Sequence, residues 1–272
     1  MPEPIIPAAV TAADVTAVSI CYNNLAGLKE TWDSVRGQSC QEWEWVVIDG
    51  GSTDGTPEFL GAIGDARLRW VSEKDRGIYD AMNKGLERAT GIYVTFLNSG
   101  DLFSDAEVLA EVVRAARSQG TPDLCYGDAY EKAPDGALLR KVALSHRRVW
   151  YGMFTHHQAM FYRRAFVGAQ RYPTHYKIGG DYAFTAEVLA RGGRAYRLPR
   201  PLCIFEKGGL SERAAADGRA DVWRVQKEVL RMSFPARLAV RVAHMSIHGL
   251  KGLSPGVYRA LRFRKPLGES PR

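Results

Sequence analysis

Four aspartates stand where predicted strands give way to short polar turns. Asp49 and Asp54 belong to a glycine-rich turn after one apolar run, whereas Asp75 and Asp101 follow two later extended segments. Open α/β sheets bind ligands outside the carboxyl ends of their strands, so these side chains are expected to meet in one crevice. Carboxylates there can accept hydrogen bonds from a ribose or from the imide N–H of a uracil. Asp and Gly also simply make good turns, but their recurrence at successive strand ends favours a nucleotide site.

Asp101 is the carboxylate expected to bind a metal ion. Mg²⁺ and Mn²⁺ prefer oxygen ligands, and such an ion would neutralise charge on a departing diphosphate. His157, which precedes another predicted strand, is a second candidate ligand. Both residues have structural alternatives, because Asp101 could shape a turn or cap a helix and His157 could be a packed core residue.

Asp181 stands at the start of a predicted helix. There it could act as a general base that takes a proton from an attacking hydroxyl, or it could simply cap the helix. Further along the chain, a glycine-rich loop could close over phosphates with its backbone N–H groups and one lysine charge, or it could be a plain connection. The residues of interest in that loop are Lys207, Gly208, Gly209 and Ser211.

Apolar runs alternate with amphipathic segments through the first 118 residues. The predicted strands are 15–21, 43–49, 67–71 and 93–97, and the predicted helices are 25–38, 56–63, 78–89 and 105–118. This alternation is typical of an α/β fold with a mostly parallel sheet. A hairpin is predicted over 123–130 and 137–142, strands over 157–162, 195–198 and 202–205, and helices over 181–191, 214–232 and 235–251.

The predicted organisation is a short flexible N-terminus, one α/β domain and a basic helical tail. We place the N-terminus at 1–14, the domain at 15–212 and the tail at 213–272. Within the domain, 15–101 is expected to bind the nucleotide and 102–212 to face an acceptor.

Composition excludes several classes of protein. The 272 residues are 46% hydrophobic and 25% charged, without the ~18 uncharged apolar residues in a row that a membrane-spanning helix needs. The N-terminus has no pattern of a secretory signal. The four cysteines lack CxxC spacing, which favours reduced thiols over a disulfide frame or a zinc site. We therefore expect a cytoplasmic protein.

The net charge of +7 is not spread evenly along the chain. From residue 223 onward, eleven Lys and Arg face only two acids. Helical spacing places Arg237, Arg241, His244, His248 and Lys251 on one face, with small and apolar residues opposite. Such a helix can lie on the anionic inner face of the cytoplasmic membrane, or it can pack its apolar side on the domain. Nucleic-acid binding is disfavoured, because no signature of a nucleic-acid-binding fold accompanies the charge.

Taken in order, these motifs resemble the family 2 inverting glycosyltransferases with the GT-A fold, in particular bacterial members that build exopolysaccharide, lipopolysaccharide or glycolipid precursors. The resemblance covers about residues 16–211. Its carriers are 18–24 (VSICYNN), 48–56 (IDGGSTDGT), 75–85 (DRGIYDAMNKG) and 98–101 (NSGD), followed by 157–158, 180–181 and 208–211.

The resemblance implies roles for matching residues. Asp49 and Asp75 would hold the base and ribose of a nucleotide sugar, with Asp54 supporting that loop. The nucleotide-sugar residues that it implies are Asp49, Asp54, Asp75, Asn83, Lys84 and Asn98. Asp101 would be the last carboxylate of the Asp-x-Asp metal motif, binding Mn²⁺ or Mg²⁺, and Asp181 the catalytic base. The implied partners are a nucleotide sugar, expected to be UDP-linked, and a lipid-linked or glycan acceptor.

The sequence departs from the family pattern at the metal motif. Asn98 and Ser99 precede a single carboxylate where the family usually has two. A scaffold protein that binds a nucleotide sugar without turning it over is therefore the alternative function. A nucleotidyltransferase is disfavoured, because the turn after the first strand lacks the basic residues that grip a triphosphate.

Overall fold

The computed structural model describes residues 13–133, 135–206 and 215–253. Within them it places nine strands and eight α-helices. The strands are β1 (Val15–Cys21), β2 (Trp43–Asp49), β3 (Leu68–Ser72), β4 (Tyr93–Phe96), β5 (Leu102–Phe103), β6 (Leu124–Lys132), β7 (Leu138–Lys141), β8 (Met160–Arg163) and β9 (Ala195–Glu206). The helices are α1 (Leu25–Arg36), α2 (Thr56–Ala62), α3 (Ile78–Arg88), α4 (Val108–Ser118), α5 (Arg164–Val167), α6 (Gly180–Ala190), α7 (Ala215–Glu228) and α8 (Phe234–Leu253).

All nine strands join one mixed sheet in the order β3-β2-β1-β4-β8-β6-β9-β5, with β7 paired to β6. The first four strands in this order are parallel, β8 is antiparallel to both of its neighbours, and β9 is parallel to β6. It follows that β9 runs in the same direction as β1 to β4. Its carboxyl end therefore reaches the edge of the sheet where those strands also end.

Alternating side chains of the parallel strands fill two cores, one on each face of the sheet. In β2, Val46 and Ile48 pack in one core, whereas Trp45 and Val47 pack in the other. Successive residues of a strand point to opposite faces. A strand covered by helices on both faces is mostly apolar, which explains the composition of β1, β2 and β4. Their few polar residues, such as Glu44 and Thr95, are buried as well.

Helix α3 lies close against the sheet because it carries a glycine at the contact. A Cβ atom at Gly85 would stand 2.3 Å from Cγ1 of Val18 in β1. Such a contact is too short for a larger residue without movement of the helix. The close approach fixes α3, and with it the loop that precedes α3, at the carboxyl edge of the sheet.

The later part of the chain differs from the sequence-based prediction in detail. The two strands expected at 195–198 and 202–205 are one strand, β9, whose pairing with β6 is irregular between Tyr126 and Asp128. Pro199 and Pro201 interrupt the apolar pattern there, and strands accommodate proline at such irregularities. The division of the domain at residue 101 stays a prediction.

The C-terminal helix α8 does not pack its apolar side on the domain, which was one of the two expectations. Its basic side, not its apolar side, faces the body of the protein: Arg237 is buried and stacks on Trp223 of α7. Val242, on the side expected to pack, is exposed. A guanidinium can stack on an indole ring and cover it with its aliphatic stem. The side chains of His248 and Lys251 lie outside the described residues.

None of the helices in the described part of the chain is long and apolar enough to cross a membrane.

Candidate active site

A cleft of about 850 Å³ opens at the carboxyl edge of the sheet. Its walls come from the ends of β1, β2, β4 and β9 and from the first turn of α3. The polar side chains in its lining are Tyr22, Asn24, Lys74, Asp75, Asn98, Ser99, Asp101, Gln158 and Glu206. The structure therefore brings Asp75, Asn98 and Asp101 together, as the sequence predicts, and adds groups that the sequence analysis did not select.

Asp101 is a buried carboxylate at the floor of this cleft. One oxygen, Oδ2, accepts a hydrogen bond of 2.8 Å from Nε2 of Gln158, and Oδ1 accepts one of 3.3 Å from the backbone N–H of Glu206. Burial raises the pKa of Asp101 to about 7, and the charge of Glu206 adds to this, whereas the hydrogen bond from Gln158 opposes it. No cationic side chain is among the causes, so the carboxylate is an uncompensated buried charge that would favour a bound cation.

Glu206 places a second carboxylate beside Asp101. It ends β9, and its Oε2 lies 3.0 Å from the position of a Cβ on Gly100. Gly100 also has φ +97°, in the left-handed region. Both the close oxygen of Glu206 and this backbone angle therefore favour glycine at position 100. Residues 98 and 99 supply no acid, but a strand about a hundred residues later brings the carboxylate of Glu206 close to Asp101.

Asn98 lines the same cleft as Asp101 and Glu206. Its Oδ1 is buried and has no hydrogen-bond partner, although buried polar atoms normally have one. Together with Asp101 and Glu206 it forms a set of oxygen donors, the kind that hard divalent cations prefer. These three residues fit the Mn²⁺ or Mg²⁺ site implied by the sequence, with an amide in place of one usual carboxylate.

Asp75 presents a carboxylate on the other side of the cleft. Lys84 of α3 holds it through an ion pair of 2.6 Å between Nζ and Oδ1, and the same lysine pairs with Glu73 at 2.8 Å. A Cβ at Gly50 would lie 3.3 Å from Oδ2 of Asp75. Lys84 is thus a positioning residue for Asp75, and the glycine leaves this carboxylate accessible to a ligand.

Asp49 and Asp54 shape the turns beside the cleft and do not line it. Asp49 is fully buried and accepts hydrogen bonds from the backbone N–H of Ser52 at 3.0 Å and from the hydroxyls of Ser52 and Ser72. Asp54 accepts from the hydroxyl of Thr56, the main reason for its lowered pKa, and from the first backbone N–H of α1. Asp49 is therefore not placed to contact a nucleotide base directly.

Asn83 and His157 lie behind the cleft. The amide of Asn83 makes a pair of hydrogen bonds with the backbone of Tyr172, of 2.9 and 2.7 Å, which ties α3 to the loop between α5 and α6. His157 is buried, with Nε2 2.8 Å from the hydroxyl of Tyr172 and its ring against Phe96. Burial lowers the pKa of His157 to about 3. We withdraw His157 as a candidate metal ligand, because its neighbour Gln158 is the residue that contacts Asp101.

Asp181 starts α6, close to the body of α3. Its Oδ1 accepts a hydrogen bond of 2.7 Å from the backbone N–H of Tyr182, and burial raises its pKa to about 6. Tyr79 of α3 packs on the neighbouring Gly180 and donates to the carbonyl of Ile178. Asp181 is not among the residues that line the cleft, so its role as base stays a prediction. The predicted loop of Lys207, Gly208, Gly209 and Ser211 lies outside the described residues.

Gln158 and Glu206 are the residues that sequence reasoning missed. Gln158 follows His157 in the sequence, and it is the glutamine, not the histidine, that contacts Asp101. Glu206 follows the rule already used for Asp49 and Asp101, an acid at the end of an apolar run. The signal was present, yet the direction of β9 relative to β1 cannot be read from local sequence.

Glu206→Gln is expected to weaken Mn²⁺ binding by about tenfold or more, because charge count in an oxygen-ligand site sets its affinity. The amide keeps the size of the side chain and one oxygen donor. Titration of Mn²⁺ in the presence of UDP, followed by electron paramagnetic resonance of the free ion, measures the change. Glu58→Gln, at an exposed acid of α2, is the matched control. Equal Mn²⁺ affinity of the two variants would remove Glu206 from the site.

The comparisons with known proteins identify the family of the chain. The model of the family described as "Glycosyl transferase family 2" matches residues 16–189. A glycosyltransferase of PGL/p-HBAD biosynthesis from Mycobacterium tuberculosis is 31% identical over 244 residues, covering 85% of this chain and 89% of that protein. The succinoglycan biosynthesis protein ExoO of Rhizobium meliloti is 26% identical over 266 residues, covering 90% and 76%.

Two solved structures share the fold. Staphylococcus aureus TarS 1–349 in complex with UDP-GlcNAc has a TM-score of 0.66 at 18% identity, over 84% of this chain and 70% of that one. The mannosyltransferase PcManGT of Pyrobaculum calidifontis, in complex with GDP-Man and Mn²⁺, has a TM-score of 0.65 at 19% identity, over 96% and 81%. The fold class and the family predicted from the sequence are both confirmed. The chain belongs to glycosyl transferase family 2, and it is a glycosyltransferase with the GT-A fold.

Proposed function

We propose that the protein is an inverting glycosyltransferase that moves a sugar from a UDP-sugar to a lipid-linked or polysaccharide acceptor in bacterial cell-surface glycan synthesis, at the inner face of the cytoplasmic membrane. The observation that carries this proposal is the cleft, in which Asp75 faces a cluster formed by Asn98, Asp101 and Glu206. The cleft thus offers one carboxylate to a nucleoside and a group of oxygen donors to a cation beside a diphosphate.

The acceptor class is supported by the printed names of relatives. One relative is a glycosyltransferase of PGL/p-HBAD biosynthesis and another is a protein of succinoglycan biosynthesis. For the donor, the solved TarS structures hold UDP-GlcNAc or UDP, whereas PcManGT holds GDP-Man. The relatives therefore support the nucleotide-sugar class, and the choice of UDP is ours.

Asp101, Glu206 and Asn98 would hold the divalent ion, Mn²⁺ or Mg²⁺. When bound, the ion supplies positive charge next to the diphosphate and so stabilises it as a leaving group. Gln158 orients the carboxylate of Asp101 through its 2.8 Å hydrogen bond. The presence of Glu206 weakens the alternative of an inactive scaffold, whose only support in the sequence was the single carboxylate of the metal motif.

The reaction we propose needs one proton acceptor from the protein. Asp181 takes the proton of the acceptor hydroxyl while the hydroxyl oxygen attacks the anomeric carbon of the donor. The bond between that carbon and the diphosphate oxygen breaks, and the diphosphate leaves with the electron pair. Attack from the face opposite the leaving group inverts the configuration. Asp75, held by Lys84, fixes the nucleoside so that the anomeric carbon is correctly placed.

The rate of transfer at saturating Mn²⁺, which keeps Asp101 deprotonated, is expected to rise with pH up to about 6 and to stay level above it. Burial raises the pKa of Asp181 to about 6, and a general base acts only when it is deprotonated. The measurement is kcat/KM for the acceptor between pH 5 and 8 at saturating donor. A rate that falls as pH rises over this range would contradict the assignment of Asp181 as base.

The donor class is tested by thermal unfolding with UDP, GDP, dTDP and CMP, each with and without Mn²⁺. A nucleotide at a hundred times its Kd stabilises the folded protein by about 2.7 kcal/mol, which corresponds to a rise in Tm of several degrees. We expect UDP with Mn²⁺ to give the largest rise. No rise with any nucleotide, from protein that unfolds cooperatively, would contradict the proposed function.

A further inference from the structure

The outer face of α8 exposes a continuous apolar stripe. Phe234, Leu238, Val242 and Met245 have exposed fractions of 60, 45, 55 and 65%. Their spacing of four, four and three residues aligns them along one side of a helix of 20 residues, which is about 30 Å long. Four of the nine large apolar side chains that are exposed in the described residues thus lie on this one helix.

The stripe is not the packing face of the helix. The opposite side of α8 is already anchored: Val240 is buried, Arg237 lies 4.5 Å above the ring of Trp223, and His244 stacks edge-on against Tyr151 at 4.4 Å. Leu238, Val242 and Met245 therefore stay exposed when the helix is docked on the protein, whereas Phe234, at the start of the stripe, also contacts the ring of Trp223 edge-on. Exposed apolar patches of this kind mark interaction surfaces.

Beside the stripe, a groove of about 670 Å³ runs between α7 and α8. Arg219 and Arg241 line it, together with the ring of Trp223 and the side chain of Met245. Neither arginine forms an ion pair with a carboxylate among the described residues, and buried Arg237, behind Trp223, has Nε and Nη1 without hydrogen-bond partners. Met245 belongs to both the stripe and the groove, so the apolar and cationic surfaces are continuous.

We propose that this continuous face, the stripe of α8 with the groove between α7 and α8, docks on an anionic lipid bilayer. The acyl region receives the four apolar side chains, and lipid phosphates lie against Arg219 and Arg241. This is the arrangement of an interfacial amphipathic helix, which enters the boundary between headgroups and acyl chains with cations at its flank. The face is cationic and therefore complements the anionic phosphates of a bilayer. The remainder of the chain after residue 253 is basic and would be repelled from this face.

The inference rests on the proposed function for its biological sense, since a lipid-linked acceptor would lie in the same membrane, but its test does not require catalysis. Flotation of the full chain with vesicles of phosphatidylcholine alone, or with added phosphatidylglycerol, measures docking. We expect binding only to the anionic vesicles, weakening with salt because exposed charges are screened. Leu238→Glu should lower the partition coefficient by about tenfold or more, because it places a charge among the apolar side chains. Arg241→Gln should lower it by about fivefold, which is the contribution of one surface cation to binding an anionic membrane.

Ile92→Glu is the matched control, because Ile92 has an exposed fraction of 46% at a loop away from α8. Thermal unfolding and UDP binding of each variant show that the fold and the cleft are intact. Failure of wild-type protein to float with anionic vesicles, or flotation of Leu238→Glu equal to that of Ile92→Glu, would overturn the inference. So would stabilisation by inorganic phosphate without flotation, which would indicate a soluble anion. Flotation without nucleotide binding would support the surface and count against the proposed function.

Discussion

Asp101→Asn is expected to lower sugar transfer by about a thousandfold, because the bound cation's stabilisation of the leaving diphosphate amounts to several kcal/mol. The same change should remove most of the Mn²⁺ binding. Asp101 is the most buried of the three proposed oxygen ligands and the only carboxylate among them that the protein encloses. The substitution leaves one carboxylate, that of Glu206, and two amides, which together hold a hard cation weakly.

The asparagine variant is expected to fold. Its amide oxygen can still accept the 2.8 Å hydrogen bond that Gln158 donates to Oδ2 of Asp101. The substitution also removes a buried charge that no cationic side chain compensates, so stability without metal should not fall.

Two measurements separate a metal defect from a general one. Mn²⁺ titration gives the loss of affinity, and UDP-dependent stabilisation in the absence of metal reports whether the nucleoside side of the cleft is intact. Asp33→Asn, at an exposed aspartate of α1, is the matched control. Transfer within threefold of wild type in Asp101→Asn, or unchanged Mn²⁺ affinity, would contradict the proposed cation site.

The first half of the fold could be predicted from the sequence because its strands are covered on both faces. In β1, β2 and β4 every residue is apolar or buried, and the helices between them have one apolar side. These patterns are local, and they fix the direction of each strand through right-handed crossovers. The positions of Asp75 and Asp101 at one edge follow from this and match the structure.

The completion of the cation site could not be predicted, because it depends on pairing between distant strands. Glu206 reaches Asp101 only because β9 runs parallel to β6 and therefore in the same direction as β4. Nothing in the residues around 206 states that direction. The sequence also does not show which strand-end aspartate reaches the cleft. Asp49 follows the same pattern as Asp101, but two serines enclose its carboxylate.

The orientation of α8 has a different cause. Helical spacing correctly groups Arg237 with Arg241 and separates both from Val242, but it does not say which group faces inward. The indole of Trp223 on the neighbouring helix determines the orientation, because it offers a flat surface on which Arg237 and Arg241 both stack, at 4.5 and 5.5 Å. A partner of this kind lies outside any analysis of the helix alone.

Asp181→Asn is expected to have two opposite effects, a loss of transfer and a gain of stability. Removal of a general base lowers the rate by about 10²- to 10⁴-fold. Nucleotide and Mn²⁺ binding should remain as in wild type, because Asp181 does not line the cleft that holds Asp75 and Asp101. The measurement is the single-turnover rate at saturating donor, and a rate equal to that of wild type would exclude Asp181 as the base.

The gain of stability follows from the sign of the pKa shift. Burial raises the pKa of Asp181 to about 6 in the folded protein, above the value of about 4 in an unfolded chain. The folded state therefore binds the proton more tightly, so this carboxyl lowers the free energy of unfolding as pH rises from about 4 to 6. Asparagine cannot ionise, and its oxygen can still accept the hydrogen bond from the backbone N–H of Tyr182. Urea unfolding should give an increase of about 1–3 kcal/mol at pH 7.5 and none at pH 4, whereas an equal change at both pH values would mean that packing, not charge, causes it.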